Sequence, residues 1–165
     1  MKVLGIDPGI ATTGWGLVRK EPDGRQVLLK CGAILTSAKD AMTDRLRRLS
    51  NELKSLIAVE RPDEAAIEEL YISKNSRTAA SVGHGRGVIL LTLAESGLSV
   101  HEYNPRQVKM SLTGFGAADK SQMQRMVQRL LGLKDIPRPD DAADAVAIAL
   151  CHLNTLKLSA PVARS

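Results

Sequence analysis

Four acidic residues in three separate segments are the side chains of this sequence best suited to chemistry. Asp7 and Glu68 each end a short apolar segment, while Asp141 and Asp144 lie three residues apart in an alanine-rich segment. Residues with that spacing share one face of a helix. Acids crowded beside an apolar core are costly unless a cation gathers them, and a hard divalent ion bound through oxygen is suited to that role. The pattern therefore predicts a metal-dependent enzyme.

Each acid also has a simpler interpretation when it is taken alone. Asp7 can cap the turn that follows it, Glu68 can face water at a sheet edge, and Asp141 can occupy a first helical turn, where the dipole favours negative charge. Asp144 lies deeper among alanines and fits such an interpretation worst. Together the acids match a site in which two divalent ions about 4 Å apart support phosphodiester hydrolysis, which requires carboxylates but neither Cys nor His.

A polar segment directly after Glu68 and several later basic residues are candidate contacts to nucleic acid. Tyr71 could stack on a base while neighbouring cations hold phosphates, although a surface loop with a half-buried tyrosine is the simpler alternative. Lys120 is placed at a predicted helix start, where phosphate binding is favoured, whereas most other basic residues fit solvated helix faces. The candidates are Tyr71, Lys74, Asn75, Arg77, Arg106, Lys109 and Lys120.

Composition limits the class of protein. The 165 residues, 44% hydrophobic, are predicted to form one domain over residues 1–158 with a flexible tail at 159–165. The net charge of +5 favours polyanionic partners only modestly. Cys31 and Cys151 lie far apart, which predicts neither a redox pair nor a zinc site and is consistent with a cytoplasmic protein. The longest apolar run is too short to cross a bilayer, so no membrane association is expected.

Hydrophobic periodicity predicts the elements that must position these residues. The predicted strands are 2–6, 12–19, 26–35, 64–68 and 99–103, and the predicted helices are 43–59, 76–95, 105–112, one ending at 131 after a cap at Asp119 or Ser121, and 140–158. Short turns join the first three strands into an antiparallel meander, and helices separate the last two, which should add in parallel. The fold class is therefore α/β, a mixed five-stranded sheet with helices on both faces. Asp7 and Glu68 can then lie on adjacent strands beside the final helix.

Glycines and histidines are interpreted as structural residues. Gly83, Gly85 and Gly87 lack the spacing of a dinucleotide fingerprint and suggest close packing, within the domain or across a dimer. Gly14 and Gly16 interrupt the second strand. The histidines, which are isolated in the sequence, are His84, His101 and His152.

Six segments, in order, resemble the RuvC family of bacterial Holliday-junction endonucleases, whose fold is RNase H-like. They are 5–9 (GIDPG), 66–69 (AIEE), 79–88 (AASVGHGRGV), 105–109 (PRQVK), 120–122 (KSQ) and 141–145 (DAADA). The resemblance extends over about residues 2–152. It implies that Asp7, Glu68, Asp141 and Asp144 are the catalytic metal ligands for two Mg²⁺ or Mn²⁺ ions per active site.

The resemblance implies further roles. Lys109 and Lys120 are expected near the DNA backbone and the active centre, and Tyr71 replaces a phenylalanine that many members stack at the junction. Asp140 and Glu69 depart from the family by adding negative charge. The resemblance also implies a homodimer that makes symmetric nicks with 5′-phosphate and 3′-hydroxyl ends. It further implies a preference for a short thymine-containing sequence and cooperation with a branch-migration motor of the RuvA and RuvB type in recombination and repair.

Three alternatives remain at this level. A phosphotransferase related to actin or the sugar kinases also begins with a Gly-Ile-Asp-x-Gly segment, but the chain is short for a second lobe. A junction-binding scaffold could use the acids for structural metal only. RNase H or transposase relatives share the metal chemistry but act on other substrates.

Overall fold

Strands and helices follow each other in the predicted order. The computed structural model describes residues 1–69 and 76–159, without the side chains of 76–79 and 157–159. The elements are β1 (Lys2–Asp7), β2 (Thr12–Lys20), β3 (Gln26–Leu35), α1 (Met42–Glu60), β4 (Glu64–Glu68), α2 (Ser76–Glu95), β5 (Ser99–Tyr103), α3 (Pro105–Thr113), α4 (Lys120–Leu130) and α5 (Asp140–Ser159). Within these ranges no helix combines the length and the apolar content needed to cross a membrane.

The strands form one mixed sheet in the order β3-β2-β1-β4-β5. β1 pairs antiparallel with β2, and β2 pairs antiparallel with β3, whereas β1, β4 and β5 run parallel to one another. The predicted topology is thus confirmed. Ile6 pairs with Ile67, so the next residues, Asp7 and Glu68, end two adjacent parallel strands at the same edge of the sheet.

Helices cover both faces of the sheet, as predicted, because buried side chains alternate along the central strands. Leu4 and Ile6 of β1 join an apolar cluster with Leu49 and Leu53 of α1 and Ile89 of α2. The other face carries a second apolar cluster, to which β1, β2 and β4 contribute Val3, Val18 and Ala66, and helices α3, α4 and α5 contribute most of the rest. The period of two in a strand produces this division, and it leaves α5 directly against the strands that carry the acids.

Three glycines allow α5 to approach the sheet closely. A Cβ atom added to Gly14 would lie 2.0 Å from the carbonyl oxygen of Asp141, and one added to Gly5 would lie 2.0 Å from that of Ala145. At Gly16 it would lie 2.4 Å from a methyl group of Val146. The sequence analysis interpreted Gly14 and Gly16 only as interruptions of a strand, but they form the surface on which α5 rests.

Two of the three glycines in α2 lack close neighbours in the described part of the domain. Among the described residues, apart from the chain neighbours and the backbone of α2 itself, no atom lies within 4 Å of a Cβ added to Gly83 or Gly87. Only Gly85 faces the interior, where a Cβ would lie an ordinary 3.5 Å from Ile10. Of the two alternatives, packing within the domain is not seen at Gly83 and Gly87 among the described residues, and packing across a dimer stays open.

Candidate active site

A cleft of about 270 Å³ opens where β1 and β4 end beside α5. Three of the four predicted acids line it together with two lysines, and the remaining wall is largely apolar. The lining residues are Asp7, Glu68, Asp144, Lys109, Lys120, Pro105, Val108, Met123, Ala147 and Ile148. The fourth acid, Asp141, lies one turn before Asp144 on α5, with its backbone against Gly14, the residue paired with Asp7.

The acids are close enough to interact through their charges. Burial raises the pKa of Asp7 from 3.8 to about 7, and the charges of Glu68, Asp144 and Asp141 add to that effect. The positive charge of Lys120 opposes it only in part. Asp7 is thus the acid in greatest need of a cation, because a desolvated carboxylate among like charges disfavours ionisation.

Glu68 and Asp144 show the same strain to a lesser degree. Burial raises the pKa of Glu68, and the charge of Asp144 raises it further, while Lys109 and Arg86 lower it. Burial also raises the pKa of Asp144 against the lowering influence of Lys120. The two lysines in the cleft therefore balance only part of the negative charge.

Lys120 is held at the first residue of α4 with its ammonium group among the acids. Its Nζ atom lies 3.2 Å from Asp144 and 3.5 Å from Asp140. The helix begins with a capping box in which the Asp119 carboxylate accepts a hydrogen bond from the backbone N–H of Gln122. Asp119 rather than Ser121 is therefore the cap. Burial opposes the charge on Lys120, but the hydrogen bonds and negative charges of Asp144 and Asp140 together outweigh that cost and raise the lysine pKa.

Helix α3 supplies the second lysine. An Asn104–Gln107 capping box and Pro105 fix the start of this helix, which directs Lys109 into the cleft. Arg106 is exposed beside the cleft, in a shallow depression that Lys109 and Gly116 also line. The structure thus brings Lys109 to the acids and places Arg106 on the adjoining surface.

Arg86 is a residue next to the site to which the sequence analysis gave no role. It is buried on α2, donates a hydrogen bond to the backbone carbonyl of Glu68, and pairs with Glu102 of β5. It therefore anchors the end of β4 where Glu68 enters the cleft. The signal available in the sequence was a charged residue just before the apolar run at 88–91 of α2.

Some predicted contacts fall outside the described residues. Tyr71, Lys74 and Asn75 lie in the segment between β4 and α2 that the structure does not describe, and the same holds for the side chain of Arg77. Their DNA-binding roles stay predictions.

Two histidines that the sequence analysis treated as isolated are in contact. His101 of β5 and His152 of α5 have ring centroids 4.3 Å apart. Both lie beside Glu64, at the opposite end of β4 from Glu68. The interpretation of these histidines as isolated residues is wrong.

The donor chemistry of the cleft fits a hard divalent cation. Its acids offer only carboxylate oxygens, which Mg²⁺ and Mn²⁺ prefer. Burial raises the pKa of Asp7, Glu68 and Asp144, so a bound cation would relieve an existing electrostatic cost.

The comparisons of sequence and of structure with known proteins point to the same family. The family model described as "Crossover junction endodeoxyribonuclease RuvC" matches residues 3–152. A protein of that name from Syntrophomonas wolfei is 52% identical, with 96% of this chain and 92% of the relative covered, and one from a Roseiflexus species is 56% identical, covering 92% and 89%. The structure of Thermus thermophilus RuvC in complex with a Holliday junction substrate superposes with a TM-score of 0.88 at 34% identity, covering 96% and 97%.

Proposed function

The chain belongs to the RuvC family of crossover junction endodeoxyribonucleases, and from that premise we propose that it resolves four-way DNA junctions by metal-dependent hydrolysis of phosphodiester bonds. It nicks two strands symmetrically and leaves 5′-phosphate and 3′-hydroxyl ends, in recombination and repair in the cytoplasm. The observation that carries the proposal is the cleft in which Asp7, Glu68 and Asp144 meet Lys109 and Lys120.

The four acids Asp7, Glu68, Asp141 and Asp144 would hold two Mg²⁺ or Mn²⁺ ions. When bound, such ions activate water and stabilise the leaving oxygen. A carboxyl group binds a cation in its ionised form. Because burial holds the pKa of Asp7 at about 7, cation binding near neutral pH must displace a proton from it. Lys120 and Lys109 place positive charge where the phosphate enters, which orients it and screens it from the acids.

DNA contacts extend outward from this cleft. Arg106 continues the basic surface beside Lys109, and the residues after Glu68 supply the stacking face of Tyr71 and the polar groups of Lys74, Asn75 and Arg77. Contacts to phosphate set position, whereas stacking at an open junction centre does not require a particular base.

The active assembly is a homodimer, which matches the two equivalent strands of a junction. The exposed face of α2 supports this proposal, because Gly83, Gly87 and Leu91 follow one another at four-residue intervals and Leu91 is 59% exposed. A branch-migration motor of the RuvA and RuvB type is the proposed further partner.

An immobile four-way junction and a matched linear duplex, each incubated with Mg²⁺, Mn²⁺ or EDTA, test the proposal. Paired nicks confined to the junction, dependent on metal and lost in Asp7→Asn, are expected. Binding without nicks would favour a scaffold, and equal cutting of the duplex would indicate a less selective nuclease. ATP binding by the purified protein would favour the phosphotransferase alternative.

A further inference from the structure

A second group of metal-ligating side chains lies away from the catalytic acids. Glu64, His101 and His152 each offer one ligand atom, and these atoms all lie within 4.8 Å of one another. The Glu64 carboxylate is 2.6 Å from Nε2 of His152 and 3.3 Å from Nε2 of His101. Three elements that are distant in sequence, β4, β5 and α5, converge here.

Hydrogen bonds within the protein satisfy this group incompletely. Nε2 of His152 can donate to Glu64, and Nδ1 of the same ring lies 2.7 Å from the hydroxyl of Tyr103. Nε2 of His101 is buried and, within the described part of the chain, has no hydrogen-bond partner, since its contact with Glu64 lacks hydrogen-bond geometry. A buried nitrogen without a partner is costly, and a cation held between the three ligand atoms would bind its lone pair.

We propose that Glu64, His101 and His152 form a second metal site, which takes a transition-metal ion of the Zn²⁺ class. Two imidazoles and one carboxylate are common zinc ligands, with bonds of about 2.0–2.2 Å. Tetrahedral ligands at that distance lie about 3.3 Å apart. His101 and Glu64 already have this separation, whereas the 2.6 Å between His152 and Glu64 would have to lengthen when metal replaces the proton between them. Metal on Nε2 of His152 would require the tautomer that carries the ring proton on Nδ1. Nδ1 would then donate a hydrogen bond to the Tyr103 hydroxyl, an outer hydrogen bond of the kind that orients ligating histidines.

The ligands separate this site chemically from the cleft. Imidazole nitrogen favours Zn²⁺, Co²⁺ and Ni²⁺, whereas the all-oxygen cleft suits Mg²⁺ and Mn²⁺. The group lies near the protein surface, because the His101 side chain is 39% exposed and that of Glu64 25%.

The position of the site gives it a structural consequence. Glu64 begins β4, whose last residue is Glu68, and His152 follows Asp144 on α5 by about 12 Å along the helix axis. A bound ion would join α5 to β4 and β5 at the end of the sheet opposite the cleft. It would therefore stabilise the packing of the two elements that carry three of the four acids.

Co²⁺ titration of the whole protein in saturating Mg²⁺ tests the proposal through visible absorption. We expect one tetrahedral Co²⁺ per chain, displaced by Zn²⁺, in the wild type and in Asp7→Asn. His101→Ala should abolish the signal, and Tyr103→Phe should weaken binding by about 10- to 100-fold. His84→Ala, which changes an exposed histidine on α2, is the matched control and should bind normally.

Thermal unfolding gives an independent measurement. Zn²⁺ should raise the Tm of the wild type and of His84→Ala but not that of His101→Ala, whose Mg²⁺-dependent nicking should be unchanged. An unaltered Co²⁺ spectrum and affinity in His101→Ala would overturn the proposal, as would the absence of a tetrahedral signal in the wild type.

Discussion

At the scale of single residues, the same crowding of acids that favours cation binding lowers the stability of the metal-free protein. The pKa of Asp7 is raised to about 7, so the folded protein retains this proton at pH values where the unfolded chain has lost it. Stability of the metal-free protein therefore falls as the pH rises from about 4 to 7, and the whole penalty is present above pH 7. Bound metal would reverse that balance, because it favours the ionised carboxylate.

Asp7→Asn removes this penalty and should stabilise the protein in EDTA. At pH 8 we expect a gain of ~2–4 kcal/mol in the free energy of unfolding, shrinking toward zero near pH 4. Urea unfolding across that pH range measures it. Asp135→Asn, a change in an exposed loop acid, is the control and should show no such dependence. A stability difference that grew as the pH fell would contradict the assignment.

Lys120→Ala tests the charge that faces the acids. The ammonium group lies 3.2 Å from Asp144 and lowers the pKa of that acid, so its loss should slow nicking and also make Asp144 harder to ionise. We expect a loss of about 10²-fold in the single-turnover rate on a four-way junction, with junction binding largely kept. Lys134→Ala, in an exposed loop, should nick at the normal rate. Equal rates for both variants would remove Lys120 from the catalytic account.

At the scale of elements, the contact between α5 and the glycines of β1 and β2 sets the position of the helix that carries Asp141 and Asp144. Gly14→Ala would place a methyl group 2.0 Å from the Asp141 backbone, so the first turn of α5 must move. We expect a loss of about 1–3 kcal/mol in stability and a larger fractional loss of nicking, measured by urea unfolding and junction cleavage.

Gly85→Ala is the matched control for that prediction. Its added Cβ atom would meet Ile10 at an ordinary 3.5 Å, and alanine favours a helix interior by about 1 kcal/mol over glycine. Stability should therefore be unchanged or higher. If Gly14→Ala were tolerated as well as Gly85→Ala, the sheet surface would not position α5.

Element order and strand pairing were predictable because they depend on local periodicity and on turn length. The acids at the ends of β1 and β4 followed from that order, since parallel strands end at the same edge. The neighbour that approaches a glycine was not predictable, because the sequence does not encode it. A Cβ added to Gly14 would meet α5, whereas one added to Gly83 would meet no described residue outside the backbone of α2 within 4 Å. The meeting of His101 with His152 likewise depends on how α5 crosses the sheet, which no spacing in the sequence encodes.

At the scale of the whole molecule, the cleft and the histidine group lie toward opposite ends of the same two elements. β4 carries Glu64 at its first residue and Glu68 at its last, and α5 carries Asp144 near its start and His152 further along. An ion at either end therefore favours the same packing of α5 on the sheet. The two sites would be coupled through this shared packing rather than through a chain of contacts.

Leu91→Glu tests whether the exposed face of α2 forms the dimer. Leu91 is 59% exposed, so the substitution should leave the fold intact, whereas an unpaired charge buried in an interface costs on the order of 3–5 kcal/mol. We expect the dimer dissociation constant to rise by about 100-fold or more, measured by sedimentation equilibrium. Below that constant, paired nicks should give way to single nicks, because one subunit reaches only one strand. Val59→Glu, at a position 74% exposed on α1, is the control and should stay dimeric. A dimer of undiminished affinity in Leu91→Glu would place the interface on another surface.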